Sequence, residues 1–113
     1  MDSKIKILII DDEEDYCQIM KRYFEVKNYE VYLAHTITGG LDLLQERNPD
    51  ILFLDNNLPD GEGWNHLDEI INKHPALKIH LISAYKSRNQ SPADTNIWVW
   101  EKPISLQKFD AIF

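Results

Sequence analysis

Residues 4–24 read KIKILIIDDEEDYCQIMKRYF, and a change of rhythm inside this stretch decides the fold. Lys4 to Ile10 is a short Ile-rich run that stops at Asp11 and Asp12, the pattern of a buried strand. Either aspartate can cap a helix beginning there, in which Tyr16, Ile19, Met20, Tyr23 and Phe24 recur at helical spacing. A continuous apolar strand leading at once into an amphipathic helix is one unit of an alternating α/β chain.

The rest of the sequence repeats that unit. Asn28 is a helix stop before a second strand at Glu30 to Ala34. Thr36 or Thr38 opens a second helix, whose Ile37, Leu41 and Leu44 keep helical spacing until Pro49 ends it. Ile51 to Leu54 is a third strand, closed by Asp55. Leu58-Pro59-Asp60-Gly61 is turn chemistry, and Trp64, Leu67, Ile70 and Ile71 continue as a helix up to Pro75. Leu77 to Ile82 is a fourth strand and Ile97 to Trp100 a fifth. Ser105 caps a last helix carrying Leu106, Phe109 and Phe113. Residues 85–96 (YKSRNQSPADTN) should hold a helix, but they lack apolar periodicity and include Pro92. They read as loop or a very short helix. Strands that are apolar throughout, alternating with helices, imply an α/β fold with a parallel sheet covered on both faces.

The 113 residues carry 12 Lys and Arg against 19 Asp and Glu, a formal charge of −7. That length suits one domain, residues 1–113, with one core. The acidic balance disfavours direct contact with nucleic acid. Cys17 stands alone, which excludes an internal disulfide and a Cys-based zinc site and suits the cytoplasm. No apolar run approaches the ~18 residues of a membrane span, and the N-terminus lacks the apolar stretch of a signal peptide. The expectation is a soluble, cytoplasmic protein with no membrane partner.

In a doubly covered parallel sheet the site lies beyond the C-terminal strand ends. Here those ends carry Asp11-Asp12, Asp55, Ser83 and Lys102-Pro103. Carboxylates forced together repel by about 4 kcal/mol per pair at 4 Å and an effective dielectric near 20, so a cation is expected to neutralise them. Oxygen ligands without His or Cys select a hard ion, Mg²⁺ or Mn²⁺. A carboxylate beside such an ion and a lysine is placed to attack a phosphoryl group, with a hydroxyl such as Ser83 within reach of its oxygens. Singly, each residue has a plainer role as a helix cap, a turn cap or a surface lysine; their convergence from four strand ends argues for a site. His35, His66, His74 and His80 have no mutual ligand spacing and read as surface or satisfied polar residues.

The order IDD, LDNNLPDG, LISA and EKP resembles the receiver domain of bacterial response regulators, from Lys4 to Phe113 except for residues 85–96. The resemblance implies a doubly wound, five-stranded flavodoxin-like sheet of order 2-1-3-4-5. It implies that Asp55 is the phosphoacceptor, taking the phosphoryl group from a sensor histidine kinase, a phosphotransfer protein or a small phosphodonor. Asp12 would ligate Mg²⁺ directly and Asp11 mainly through water, with an oxygen of Asp55 and the backbone carbonyl of Asn57. Lys102 would pair with the phosphoryl group and precede a cis Pro103. Ser83 would turn toward that group on activation, and Ala84 would leave the acceptor open. An effector domain or downstream protein would receive the output. Homodimer formation on phosphorylation is common in the family.

Three features depart from that pattern. Val99 stands where the family places the aromatic partner of the Ser/Thr switch, with Trp98 and Trp100 on either side. Strand alternation sends both tryptophans to the face opposite Val99, with Trp100 read as core. The interval from Ser83 to Lys102 is shorter than usual, and the missing residues fall in the fourth helix. The expected output face of fourth helix, fifth strand and last helix is therefore atypical. Tyr85 and Asn57 occupy positions that tune hydrolysis in the family, and Tyr85 is expected to shield the phosphoryl group from water. The last helix either is short or is cut at Phe113.

The alternative is a pseudo-receiver acting as a constitutive protein-binding module. An aspartyl phosphatase is disfavoured because Asn57 replaces the second acid such enzymes use. No turnover of an external metabolite is expected.

Overall fold

The structure, a computed structural model, describes residues 4–84 and 96–113. Five strands, β1 (Lys6–Ile10), β2 (Glu30–Ala34), β3 (Ile51–Asp55), β4 (Lys78–Ser83) and β5 (Ile97–Glu101), form one sheet in the order β2-β1-β3-β4-β5. All four pairings are parallel, with registers such as Ile9 opposite Phe53, Asp55 opposite Ile82 and Ser83 opposite Glu101. The α/β class and the strand order implied by the resemblance are both as expected. Helix α1 spans Glu14–Val26, α2 Ile37–Arg47, α3 Leu67–Lys73 and α4 Leu106–Asp110. Between β3 and α3 lie a two-residue antiparallel ladder, Asn57–Leu58 with Gly61–Glu62, and a 3₁₀ turn at Gly63–His66.

Side-chain alternation splits each strand's apolar run between two cores. Leu8, Ile10, Leu52, Leu54, Ile79 and Leu81 meet Ile37 and Leu44 of α2 and Ile70 of α3 in an aliphatic layer. Ile7, Ile9, Phe53 and Ile82 meet Cys17, Met20 and Phe24 of α1 and Phe109 of α4 on the other face. That second layer is aromatic, with the Phe24, Phe53 and Phe109 rings 5.4–5.6 Å apart. Each such buried ring contributes about 2–3 kcal/mol of transfer free energy.

Local chemistry sets the helix ends. Thr36, rather than Thr38, caps α2, its hydroxyl accepting from the Gly39 N–H at 3.0 Å. Asp60 reaches over from the turn after β3 and accepts the Ile37 and Thr38 N–H groups at 2.8 and 3.1 Å. Asn28 and Asn48 end α1 and α2 at φ values of 72° and 48°, a region Asn tolerates better than most residues. Ser105 caps α4 through the Gln107 N–H. At α1 the geometry differs from expectation. The N-cap position is Glu13, which makes no side-chain cap bond, and Asp11 Oδ1 instead accepts the Glu13 N–H.

Two apolar positions also differ. Ile19 is 55% exposed; the buried stripe of α1 runs Cys17, Met20, Phe24, so Ile19 falls on its outer margin. Leu106 is likewise exposed, and Phe109 alone anchors the buried side of α4. The 3₁₀ turn gives Trp64 a separate role: its indole N–H donates to the Leu54 carbonyl at 3.1 Å, and its backbone N–H donates to Asn56 Oδ1.

On β5, Trp98 and Trp100 lie on the face opposite Val99, as strand alternation requires. His80 lies flat between Phe53 and Trp98, with centroids 4.6 and 4.5 Å away. Val99 is 36% exposed on the opposite side. Trp100 is half-buried against the aromatic layer. The expected short helix within 85–96, including Tyr85, falls on residues outside those described, apart from Asn96. No helix among the described residues is long and apolar enough to cross a membrane.

Candidate functional site

The C-terminal strand ends bring Asp11, Asp12, Asp55 and Lys102 together from three places in the chain. Asp11 and Asp12 follow β1, Asp55 closes β3, and Lys102 follows β5 and leads into the cis Lys102–Pro103 peptide. One carboxylate oxygen from each of the three aspartates lies within 4.8 Å of the others. Asp11 and Asp55 are buried, while Asp12 opens to solvent.

The Lys102 ammonium holds this cluster together. Its Nζ lies 2.9 Å from Asp11 Oδ2, 3.5 Å from Asp55 Oδ2 and 2.6 Å from Glu13 Oε1. The Tyr16 ring stands 5.3 Å away as a cation–π partner. The Lys102 backbone N–H donates to the Ser83 carbonyl at 2.8 Å, which ties the lysine's loop to the end of β4. Ser83 is buried beside it, Ala84 is exposed, and Asn57 is exposed in the short ladder two residues after Asp55.

Electrostatics follow from this crowding. Burial, reinforced by the Asp11 charge, pushes the Asp55 carboxyl up to about 6 against the pull of Lys102. Burial alone would lower Lys102, but Glu13 and Asp11 hold its ammonium above the usual lysine range. Asp11 Oδ2 is buried without a well-aligned hydrogen bond, its contact with Lys102 being an ion pair. Such a partly satisfied, all-oxygen donor set matches the needs of a hard divalent cation.

Glu13 is the site residue that sequence reasoning did not find. It and Lys102 are 89 positions apart, and Glu13 reads in sequence as one acid in the unbroken run of five at residues 11–15. The histidines stay outside the cluster. Nδ1 of His35 hydrogen-bonds to the Asp11 carbonyl at 2.9 Å, His66 pairs with Glu69, and His80 is buried in the aromatic layer.

The family model described as "Response regulator receiver domain" matches residues 7–96. The chain belongs to the response regulator receiver family. This receiver is 34% identical over 79 residues to "Transcriptional regulatory protein YxdJ" of Bacillus subtilis, covering 70% of the chain and 34% of that relative. It therefore spans about a third of the length of that curated relative. Among solved structures, a two-component response regulator from Clostridium difficile superposes with a TM-score of 0.81 at 27% identity, over 96% of this chain and 91% of that one. The non-phosphorylated HemR receiver domain from Leptospira biflexa gives 0.81 at 26% identity, over 96% and 90% of the two chains. Receivers are signalling domains of two-component systems.

Proposed function

We propose that Asp55 accepts a phosphoryl group and that the receiver passes the resulting change to a partner or effector. The observation that carries this is the buried Asp55 carboxylate at a strand end, crowded with Asp11 and Asp12 and paired, like Asp11, with Lys102. Three aspartates gathered at one edge beside a single lysine carry an electrostatic cost that a constitutive binding module would not require.

Asp55 is the nucleophile. Its free oxygen attacks phosphorus, the new O–P bond forms, and the P–N bond to a donor phosphohistidine breaks. The electron pair leaves with the donor nitrogen, which takes up a proton; with acetyl phosphate the leaving group is acetate. Lys102 pairs with one phosphoryl oxygen and Ser83 donates a hydrogen bond to another. Asp11, Asp12, Asp55 and the Asn57 carbonyl would hold Mg²⁺, or Mn²⁺. Bound there, the ion supplies neutralisation of the charge on the transferring oxygens. The donor is a sensor histidine kinase or phosphotransfer protein, in the cytoplasm. Output runs through β5 and α4, with Val99 in the place of the usual aromatic switch residue.

Intact mass after incubation with Mg²⁺ and acetyl phosphate tests this reading. The parent should gain one phosphoryl group, Asp55→Asn should gain none, and EDTA should block the gain. Uptake that persists in Asp55→Asn would reassign the acceptor.

A further inference from the structure

Lys102 is not centred on Asp55. Its shortest contact is with Glu13, 2.6 Å, and its longest is with the acceptor itself, 3.5 Å. The latter exceeds a good N–H···O hydrogen bond. The Tyr16 ring adds a second attraction from the α1 side. The ammonium is therefore drawn toward the start of α1 and away from the carboxylate whose phosphoryl group it must meet.

We propose that Glu13 is a positioning residue that restrains Lys102 in the unphosphorylated receiver and so sets how readily Asp55 is phosphorylated. This rests on the reading of Asp55 as the phosphoacceptor. Lys102 must give up Glu13 to reach a phosphoryl oxygen, so the Glu13 contact counts against the phosphorylated state. Asp11 does not act in the same way, because it belongs to the cation-holding trio and stays engaged in both states. The Glu13 side chain is 60% exposed while that of Lys102 is 12% exposed, so the pair faces water from the Glu13 side and is open to screening by salt. Pairs of that kind alter equilibria by roughly 1.4- to fivefold.

The test uses Mg²⁺ with beryllofluoride, a non-transferable phosphoryl mimic, monitored by ¹⁹F NMR. Glu13→Gln should bind beryllofluoride about two- to fivefold more tightly than the parent at low ionic strength. The ratio of the two affinities should fall toward one at about 0.5 M salt, where the exposed pair is screened. A merely structural role for Glu13 would not produce that convergence. Glu13→Asp, which keeps the charge on a shorter arm, should fall between the two proteins. Equal or weaker binding by a folded Glu13→Gln overturns the proposal and leaves the phosphoacceptor reading intact. Failure of both parent and variant to take up beryllofluoride overturns that reading and the proposal with it.

Discussion

The Trp100 indole donates a 2.9 Å hydrogen bond to Nδ1 of His80. Nδ1 is thereby the acceptor, which leaves the proton of the neutral imidazole on Nε2. Stacking against Phe53 and Trp98 completes the enclosure, and His80 is 1% exposed. A protonated ring has no place there. Burial, with a smaller contribution from the Lys78 charge, pushes His80 from 6.5 down to about 4.

A histidine whose folded-state value is depressed contributes stability that is present above about 6.5 and is lost as pH falls toward 4. His80→Phe should remove that loss. Its stability relative to the parent should rise by about 3 kcal/mol between pH 7 and pH 4. At pH 7.5 the variant should be weaker by about 1 kcal/mol, since the Trp100 N–H loses its acceptor. Urea midpoints across the pH series measure both, and parallel curves would remove the assignment.

Asp55 contributes the opposite slope. Its carboxyl is raised from 3.8 to about 6, so the folded state holds the proton more tightly than the unfolded chain. Stability should fall as pH rises through that window, and above it the ionised group weighs against the fold. In Mg²⁺-free buffer at pH 7.5, Asp55→Asn should be more stable than the parent by about 1–3 kcal/mol. Mg²⁺ affinity of the parent should weaken below about pH 6, where the proton competes for the same oxygens. Denaturation midpoints and calorimetric titration give the two readings.

Gly63 lies against the C-terminal end of β3. A Cβ there would stand 2.3 Å from the Asp55 carbonyl oxygen, with Leu54 and Leu58 methyls at 3.0 and 3.1 Å. The nearest atom is backbone, so Gly63→Ala should cost about 1–3 kcal/mol and weaken Mg²⁺ binding as well. At Gly40 the added methyl would stand 2.3–3.1 Å from Cδ1, Cγ1 and Cγ2 of the buried Ile10, a β-branched side chain with little room to give. Gly40→Ala should therefore also lower stability, by about 1–3 kcal/mol. Melting curves of both variants and a Mg²⁺ titration of Gly63→Ala measure these effects.

Cys17 is fully buried, and its Sγ donates to the Asp11 carbonyl at 3.3 Å. Burial, then the Asp11 charge, pushes the thiol up to about 12. Native protein at pH 8 should react with an aromatic disulfide reagent about a thousandfold more slowly than the denatured chain, at the rate of opening. Fast labelling of the native form would contradict this placement.

The fold was largely legible because its signals are local. Continuous apolar runs at Ile7–Ile10 and Ile51–Leu54 meant strands covered on both faces, and Asn28, Pro49 and Pro75 marked where helices stop. The aspartates and Lys102 were legible as a set because the topology of a parallel sheet gathers strand ends at one edge. What escaped depends on distant partners. Cys17 and Ile19 stand two positions, about 200°, apart around α1, and which of them faces the core is decided by where Met20 and Phe24 seat against Phe53. Glu13 gains meaning only from an ammonium just beyond β5, and His80 only from the rings of Phe53, Trp98 and Trp100.

The bond from the Trp64 indole to the Leu54 carbonyl makes this molecule its own optical probe. That carbonyl belongs to the residue immediately before Asp55, whereas Trp98 and Trp100 emit from β5, where His80 contacts both rings. Replacing those two by phenylalanine would leave one fluorophore, bonded to the end of β3, and its emission would report events at Asp55 without an attached dye. The complementary protein, with Trp64 replaced, would report only on the β5 side of the sheet. Between them, the arrival of a signal and its onward passage could be timed separately in one fold.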